Sequence, residues 1–189
     1  GNPANPNGYP TAYLWENVFQ KDSMMDIVQK FMNLKDGKAL IFPRYHQLDV
    51  VRKLLADVRQ NGAGHNYLIQ HSAGSGKSNS IAWLAHQLTN LEDDQGNLLV
   101  DSVIVVTDRV VLDKQIRDTI RQFAQTRNII AWAEHSGDLR KAIEDGRRII
   151  ITTIEKFPYV LPEIGEDHKD RHFAIIIDEA HSSQNGKTA

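Results

Sequence analysis

Apolar positions along this chain change their spacing from one stretch to the next, and each spacing predicts an element. After Ile41-Phe42-Pro43-Arg44-Tyr45-His46-Gln47, the residues Leu48, Val51, Leu54, Leu55 and Val58 recur at helical intervals until Asn61-Gly62, predicting a long helix with one buried face. Ile81, Leu84, Ala85 and Leu88 have the same period, as do Leu112, Ile116, Ile120 and Phe123, and a shorter helix is expected over 138–144, ended by Gly146. Between them lie short apolar runs at 67–70, 101–106, near Ile129 and Ile130, at 147–151 and at 173–177. Runs of this length read as buried strands. Their alternation with helices predicts an α/β fold: a mostly parallel sheet with helices on both faces.

The N-terminal stretch is different. Residues 1–10 are turn formers without an apolar period and read as a linker. Residues 11–34 predict two helical stretches, the first marked by Leu14, Val18 and Phe19. The second is capped by Asp22 or Ser23, and its Met25, Val28 and Met32, with Ile27 and Phe31, form an apolar stripe expected to pack. The expected division is therefore a linker and helical segment over 1–36 and an α/β domain over 37–189. Residues 161–172 are charged and patternless, as in a surface loop, and His168 and His172 beside Asp167 and Asp170 lack the helical period that would turn them toward one ion. After His181 the sequence is a loop without a following strand, so the domain is expected to continue beyond Ala189.

Composition narrows the possibilities further. A chain of 189 residues, 41% hydrophobic and 24% charged, can bury one good core. Its longest apolar runs are strand-length and its start is not basic-then-apolar, which predicts neither a membrane span nor a secretory signal. The absence of cysteine excludes a disulfide framework and a thiolate zinc site and fits a reducing cytoplasm. A net charge of −2 supplies no overall attraction to nucleic acid, so any DNA contact requires a local basic surface.

Two segments carry chemistry. His71-Ser72-Ala73-Gly74-Ser75-Gly76-Lys77-Ser78 joins the 67–70 run to a helix, the context of a P-loop. There Gly74 and Gly76 let the backbone curl so that N–H groups point inward, Lys77 reaches the β- and γ-phosphates, and the Ser78 hydroxyl ligates Mg²⁺. The first P-loop position is His71 rather than glycine. A hundred residues later, the 173–177 run ends in Asp178-Glu179-Ala180-His181, as a Walker B element does. Asp178 would hold Mg²⁺ opposite Ser78, and Glu179 would polarise the water that attacks the γ-phosphorus. Either segment alone also fits an ordinary polar turn; the two in this order point to a nucleotide. Gln47, with a donor and an acceptor on adjacent atoms, matches the N6 and N7 edge of adenine, or is a solvent-facing first-turn glutamine.

The set Gln47, P-loop, Thr107-Asp108-Arg109, Thr152 to Phe157 and Asp178-Glu179-Ala180-His181 resembles the first RecA-like lobe of a superfamily 2 helicase or translocase. More narrowly, Phe42 to Leu48, Gln70 to Ser78, Val106 to Arg109 and Thr152 to Phe157 resemble the motor (R) subunit of type I restriction-modification enzymes. The stretch from Gly8 to Glu16 resembles that family's junction between nuclease and motor. The resemblance implies a prokaryotic cytoplasmic protein, ATP-dependent movement along double-stranded DNA, cleavage by a separate N-terminal nuclease domain, and methyltransferase and specificity subunits as partners.

It implies that Gln47 reads adenine and that Ser72, Ala73, Gly74, Ser75, Gly76, Lys77 and Ser78 hold the phosphates of ATP. Ser78 and Asp178 would hold Mg²⁺, Glu179 would be the base, and His181 would couple the site to a second RecA-like lobe. Thr107, Arg109, Thr153 and Lys156 would lie near the DNA backbone. A lobe alone would turn over ATP very slowly, because the arginine finger comes from the second lobe and contributes about 10³ to 10⁵ in rate. Other readings remain open from the residues: another superfamily 2 DNA translocase, in repair, remodelling or type III restriction; an RNA helicase; or a nucleotide-gated binding module without motor work.

Overall fold

The computed structural model describes residues 3, 5–35, 38–107, 110–123, 129–133, 135–155 and 170–179. A π-helical turn, Leu14–Val18, leads into α1 (Lys21–Lys30), followed by a hairpin of β1 (Asn33–Lys35) and β2 (Ala39–Ile41). Then come α2 (Tyr45–Asn61), α3 (Lys77–Leu88), β3 (Ser102–Thr107), α4 (Val110–Phe123), β4 (Ile130–Trp132), α5 (Ser136–Glu144), β5 (Ile149–Thr153) and β6 (Phe173–Ile177). The last four strands form a parallel sheet in the order β4-β5-β3-β6.

The central strand shows how the sequence places the layers. Side chains alternate across a strand. Val103 and Val105 of β3 therefore join Ile116, Ile120, Ala82, Trp83 and Ala85 of α4 and α3 in one cluster, while Ile104 and Val106 join Leu139, Ala142 and Ile143 of α5 in another. Burial on both faces explains why β3 and β5 read as continuous apolar runs without alternation. This α/β architecture is that of a RecA-like P-loop lobe, with helices on both faces of a parallel sheet.

The N-terminal segment docks on the first of these clusters. Ile27 and Phe31 are completely buried beside Val51 and Trp83, and the Trp83 indole donates to the Phe31 carbonyl at 2.8 Å. Arg52 of α2 is bonded to Asp26 and to the Ser23 hydroxyl and carbonyl. The buried side of α1 is thus Ile27 with Phe31 just past its end. Met25 and Val28, expected in the stripe, are about half exposed, because four-residue spacing from Ile27 to Phe31 turns them away.

Several expectations are revised. The run at 67–70 is not a strand: Leu68 is 91% exposed, and the Tyr67 hydroxyl donates to Asp57 of α2 at 2.6 Å. A strand needs a neighbour for its N–H and C=O groups, and no described strand runs beside this segment. The β1–β2 hairpin falls where no strand pattern was read, since three-residue strands are too short to show a period. Helix α5 starts two residues before the expected position because Asp138 is its third residue: its carboxylate accepts from the His135 N–H at 2.8 Å, closing a capping box. Strands β3 and β5 extend through Thr107 and Thr153, residues expected just beyond the strand tips. The side chains of Leu112 and Phe123 lie outside the described residues.

Candidate functional site

The C-terminal tip of β6 and the N-terminus of α3 meet. The Lys77 ammonium is ion-paired with the Glu179 carboxylate, although the two stand 102 positions apart in the chain. Asp178 sits at the same place: its own N–H donates to the Val106 carbonyl, and Lys77 is close enough to act on its charge. Burial pushes the Asp178 carboxyl above its ordinary value against the opposing pull of Lys77, and the adjacent Glu179 charge adds to the rise. Glu179 itself has φ 52, the left-handed region that costs a non-glycine residue about 1–2 kcal/mol. Strain of that kind persists where the surroundings hold it, and here the Lys77 pair is one of the holds.

The loop ahead of α3 is shaped by positive φ at Gly74 and Gly76, 71° and 85°. Gly76 caps α3 in the left-handed conformation, and a Cβ there would stand 2.4 Å from the Gln47 amide nitrogen. Both reasons require glycine. The first N–H groups of α3 have no carbonyl within their helix, and with the helix dipole they make its start, at Lys77 and Ser78, receptive to an anion. Ser72, Ala73 and Gly74 are exposed on the loop, and Ser75 is buried.

Behind the loop stands the start of α2. Gln47 is 3% exposed; its oxygen accepts from the Arg44 N–H at 2.9 Å and its nitrogen donates to the Ser75 and Gly76 carbonyls at 3.2 and 3.0 Å. The side chain expected to face adenine is committed to the loop and to its own helix cap. Reading a base would require it to give up those bonds. His46 Nε2 lies 3.1 Å from the Ser75 carbonyl, Arg44 donates to the Gly74 carbonyl at 3.4 Å, and His71 Nδ1 lies 3.2 Å from the Ser75 hydroxyl. Sequence reasoning missed Arg44 and His46, and the signal was there: a cluster of donors, Arg44, His46 and Gln47, immediately before a helix. Burial lowers the His71 pKa, and the nearby charges of His46 and Lys77 lower it further.

The candidates for DNA contact fare differently. Thr107 and Thr153 are buried in the sheet, 0% and 4% exposed, and the Thr107 hydroxyl donates to the Thr152 carbonyl at 3.4 Å. As arranged, neither offers a hydroxyl to a phosphate backbone, because both belong to strands rather than to the loops after them. Arg109, Lys156, His168 and His181 lie outside the described residues. Among the described residues no three His, Cys, Asp or Glu gather as a metal site, and no helix is long and apolar enough to cross a membrane. Mg²⁺ on a nucleotide asks for less, since it keeps several waters and takes one or two protein oxygens plus phosphates. A hydroxyl at Ser78 and a carboxylate at Asp178 fit that donor set.

Comparison with known proteins decides the family. Residues 46–189, most of the chain, match the SWI2/SNF2 ATPase family. The chain belongs to that family. The SWI2/SNF2 match begins at His46 and takes in α2, the Gly74–Ser78 loop and the tip of β6, and membership implies use of ATP. The chain is also similar to a Mycoplasma pneumoniae protein named as the C-terminal part of a putative type I restriction enzyme MpnIIP endonuclease subunit. The two are 28% identical over 186 residues, covering 90% of this chain and 86% of that protein.

Proposed function

We propose that this SWI2/SNF2 ATPase chain is an ATP-binding motor lobe of a type I restriction enzyme R subunit, driving translocation of double-stranded DNA before a separate nuclease domain cuts it. The observation that carries the reading is the Lys77–Glu179 pair, which joins the two segments that nucleotide chemistry needs at one sheet edge. In this reading the loop N–H groups and Lys77 hold the β- and γ-phosphates, and Ser78 and Asp178 hold Mg²⁺. The cation, when bound, neutralises charge on the phosphates. Glu179 leaves Lys77 to the phosphate and orients the attacking water. The similarity to the Mycoplasma protein supports the restriction assignment and, with it, methyltransferase and specificity subunits as partners.

Calorimetric titration of the chain with Mg²⁺-ADP and Mg²⁺-ATP tests the nucleotide half. Lys77→Ala removes a charge-assisted contact of about 1.5–3 kcal/mol, so affinity falls roughly 10- to 150-fold. Equal affinity in the variant overturns the assignment. The family match itself favours a second reading, a remodelling-type DNA translocase outside restriction. ATPase activity of the full-length subunit on DNA that depends on added methyltransferase and specificity subunits supports restriction; activity indifferent to them supports the second.

A further inference from the structure

The phosphate loop is held from behind as well as shaped by its glycines. In a trans peptide the C=O of one residue and the N–H of the next point in opposite directions. Fixing a carbonyl therefore aims the following amide. The Gly76 carbonyl accepts from the Asn79 and Ser80 N–H groups, so α3 fixes its plane. The Ser75–Gly76 plane lies ahead of the helix ladder. It also adjoins a glycine at φ 85, a residue that accepts either orientation with little penalty. Its carbonyl is held by two side chains of α2: His46, at 3.1 Å, and Gln47, whose nitrogen at 3.2 Å is shared with the Gly76 carbonyl.

We propose that His46 is a positioning residue for the phosphate loop, holding the Ser75 carbonyl outward so that the Gly76 N–H is aimed at a bound β-phosphate. This rests on the reading of Gly74–Ser78 as the nucleotide cradle. A carbonyl only accepts, so His46 Nε2 carries the proton, and its N–H is a second donor to the Ser75 carbonyl beside one of the two N–H groups of the Gln47 amide. The ring is placed by an edge contact with His71, centroids 5.5 Å apart, while His71 reaches the hydroxyl of the same serine. Ser75 is gripped at two atoms by two rings and is 8% exposed. His71 thereby accounts for the unusual first position of the loop: a glycine there would leave His46 without its wall. Without His46 the plane keeps only the Gln47 bond and turns more readily, and turning would bring a carbonyl oxygen toward the phosphate.

The test compares His46→Met, similar in size without a donor, with His46→Gln, whose amide nitrogen reaches about as far as Nε2. Displacement of a fluorescent ADP gives affinities for Mg²⁺-ADP and for AMP, which lacks the β-phosphate. His46→Met is expected to weaken ADP about five- to tenfold, the effect of one hydrogen bond, with AMP unchanged. His46→Gln is expected to stay within about twofold of wild type for both, because the donor is kept. Wild-type affinity for ADP in His46→Met, equal loss of AMP, or a Gln variant as weak as the Met variant each overturns the proposal. If His46→Met does not fold, His46→Asn, one carbon too short, takes its place against His46→Gln with the same outcomes. Lys77→Ala separates the two failures. ADP binding that ignores both positions overturns the cradle, whereas binding lost in Lys77→Ala but normal in His46→Met overturns the role of His46 alone.

Discussion

At the scale of single residues, the site is closed on itself by charge. Lys77 pairs with Glu179, so a phosphate bound as proposed would compete with a carboxylate for the same ammonium. Both side chains are partly exposed, and a pair of that kind contributes about 0.2–1 kcal/mol. Glu179→Gln is therefore expected to raise Mg²⁺-ADP affinity roughly 1.5- to 5-fold while the full-length subunit loses hydrolysis. Calorimetry and turnover measured together check this; lower affinity would mean that the carboxylate does not compete. Gly76 makes the opposite case. Gly76→Ala incurs about 1–2 kcal/mol for its left-handed backbone and drives a methyl into the Gln47 amide. It should lower the melting temperature and abolish ADP binding, and a variant that keeps both would show that the loop tolerates another shape.

At the scale of elements, the joint between α3 and α4 runs through His86, whose Nε2 bonds the Ile120 carbonyl at 2.9 Å. Burial holds its pKa below the ordinary 6.5, with the carbonyl opposing. The unfolded chain therefore takes up a proton at 6.5 that the folded chain resists. Stability is full above 6.5 and falls as pH drops below it toward the depressed value, and His71, lowered in the same direction, adds to the slope. Melting temperature should decline on acidification through this range, and His86→Gln should lessen the decline; an unchanged slope would remove His86 as its source.

The elements that carry this joint were legible because their periods are long: α2, α3 and α4 each present three or more apolar residues at helical spacing. The strands β3 and β5 were legible for the complementary reason, since burial on both faces demands unbroken apolar runs; β6 has the same kind of run, although Ile175 and Ile177 are exposed. What failed was whatever depends on a neighbour the pattern does not contain. The 67–70 run has strand composition and no partner strand among the described residues, and the Gln47 amide, expected to read a base, is bonded to two loop carbonyls. Lys77, Asp178 and Glu179 could be singled out because their two segments lie at element ends, which the sequence marks, and the fold brings those ends together. Arg44 and His46 belong to a donor cluster that the sequence marks, but only folding shows that they stand behind the loop.

At the scale of the whole molecule, the open question is whether the expected boundary near residue 36 divides two folding units. Packing argues for one. Ile27 and Phe31 lie in the cluster that contains Val51, Trp83 and β3, and Arg52 reaches back to Ser23 and Asp26. Each of those two buried side chains contributes about 1.5–3 kcal/mol. Phe31→Ala also leaves a cavity against Trp83, so it should cost about 3–5 kcal/mol, roughly 6–20 °C in melting temperature at this chain length. Val28→Ala, on the exposed side of the same helix, should change it by no more than about 0.5 kcal/mol. If residues 1–36 were merely appended, Phe31→Ala would melt them separately and leave the main transition where it was. A single transition displaced as a whole, followed by circular dichroism and by tryptophan fluorescence, is the outcome that the shared core requires. It would make α1 part of the platform that holds the start of α2, and through α2 the Gly74–Ser78 loop.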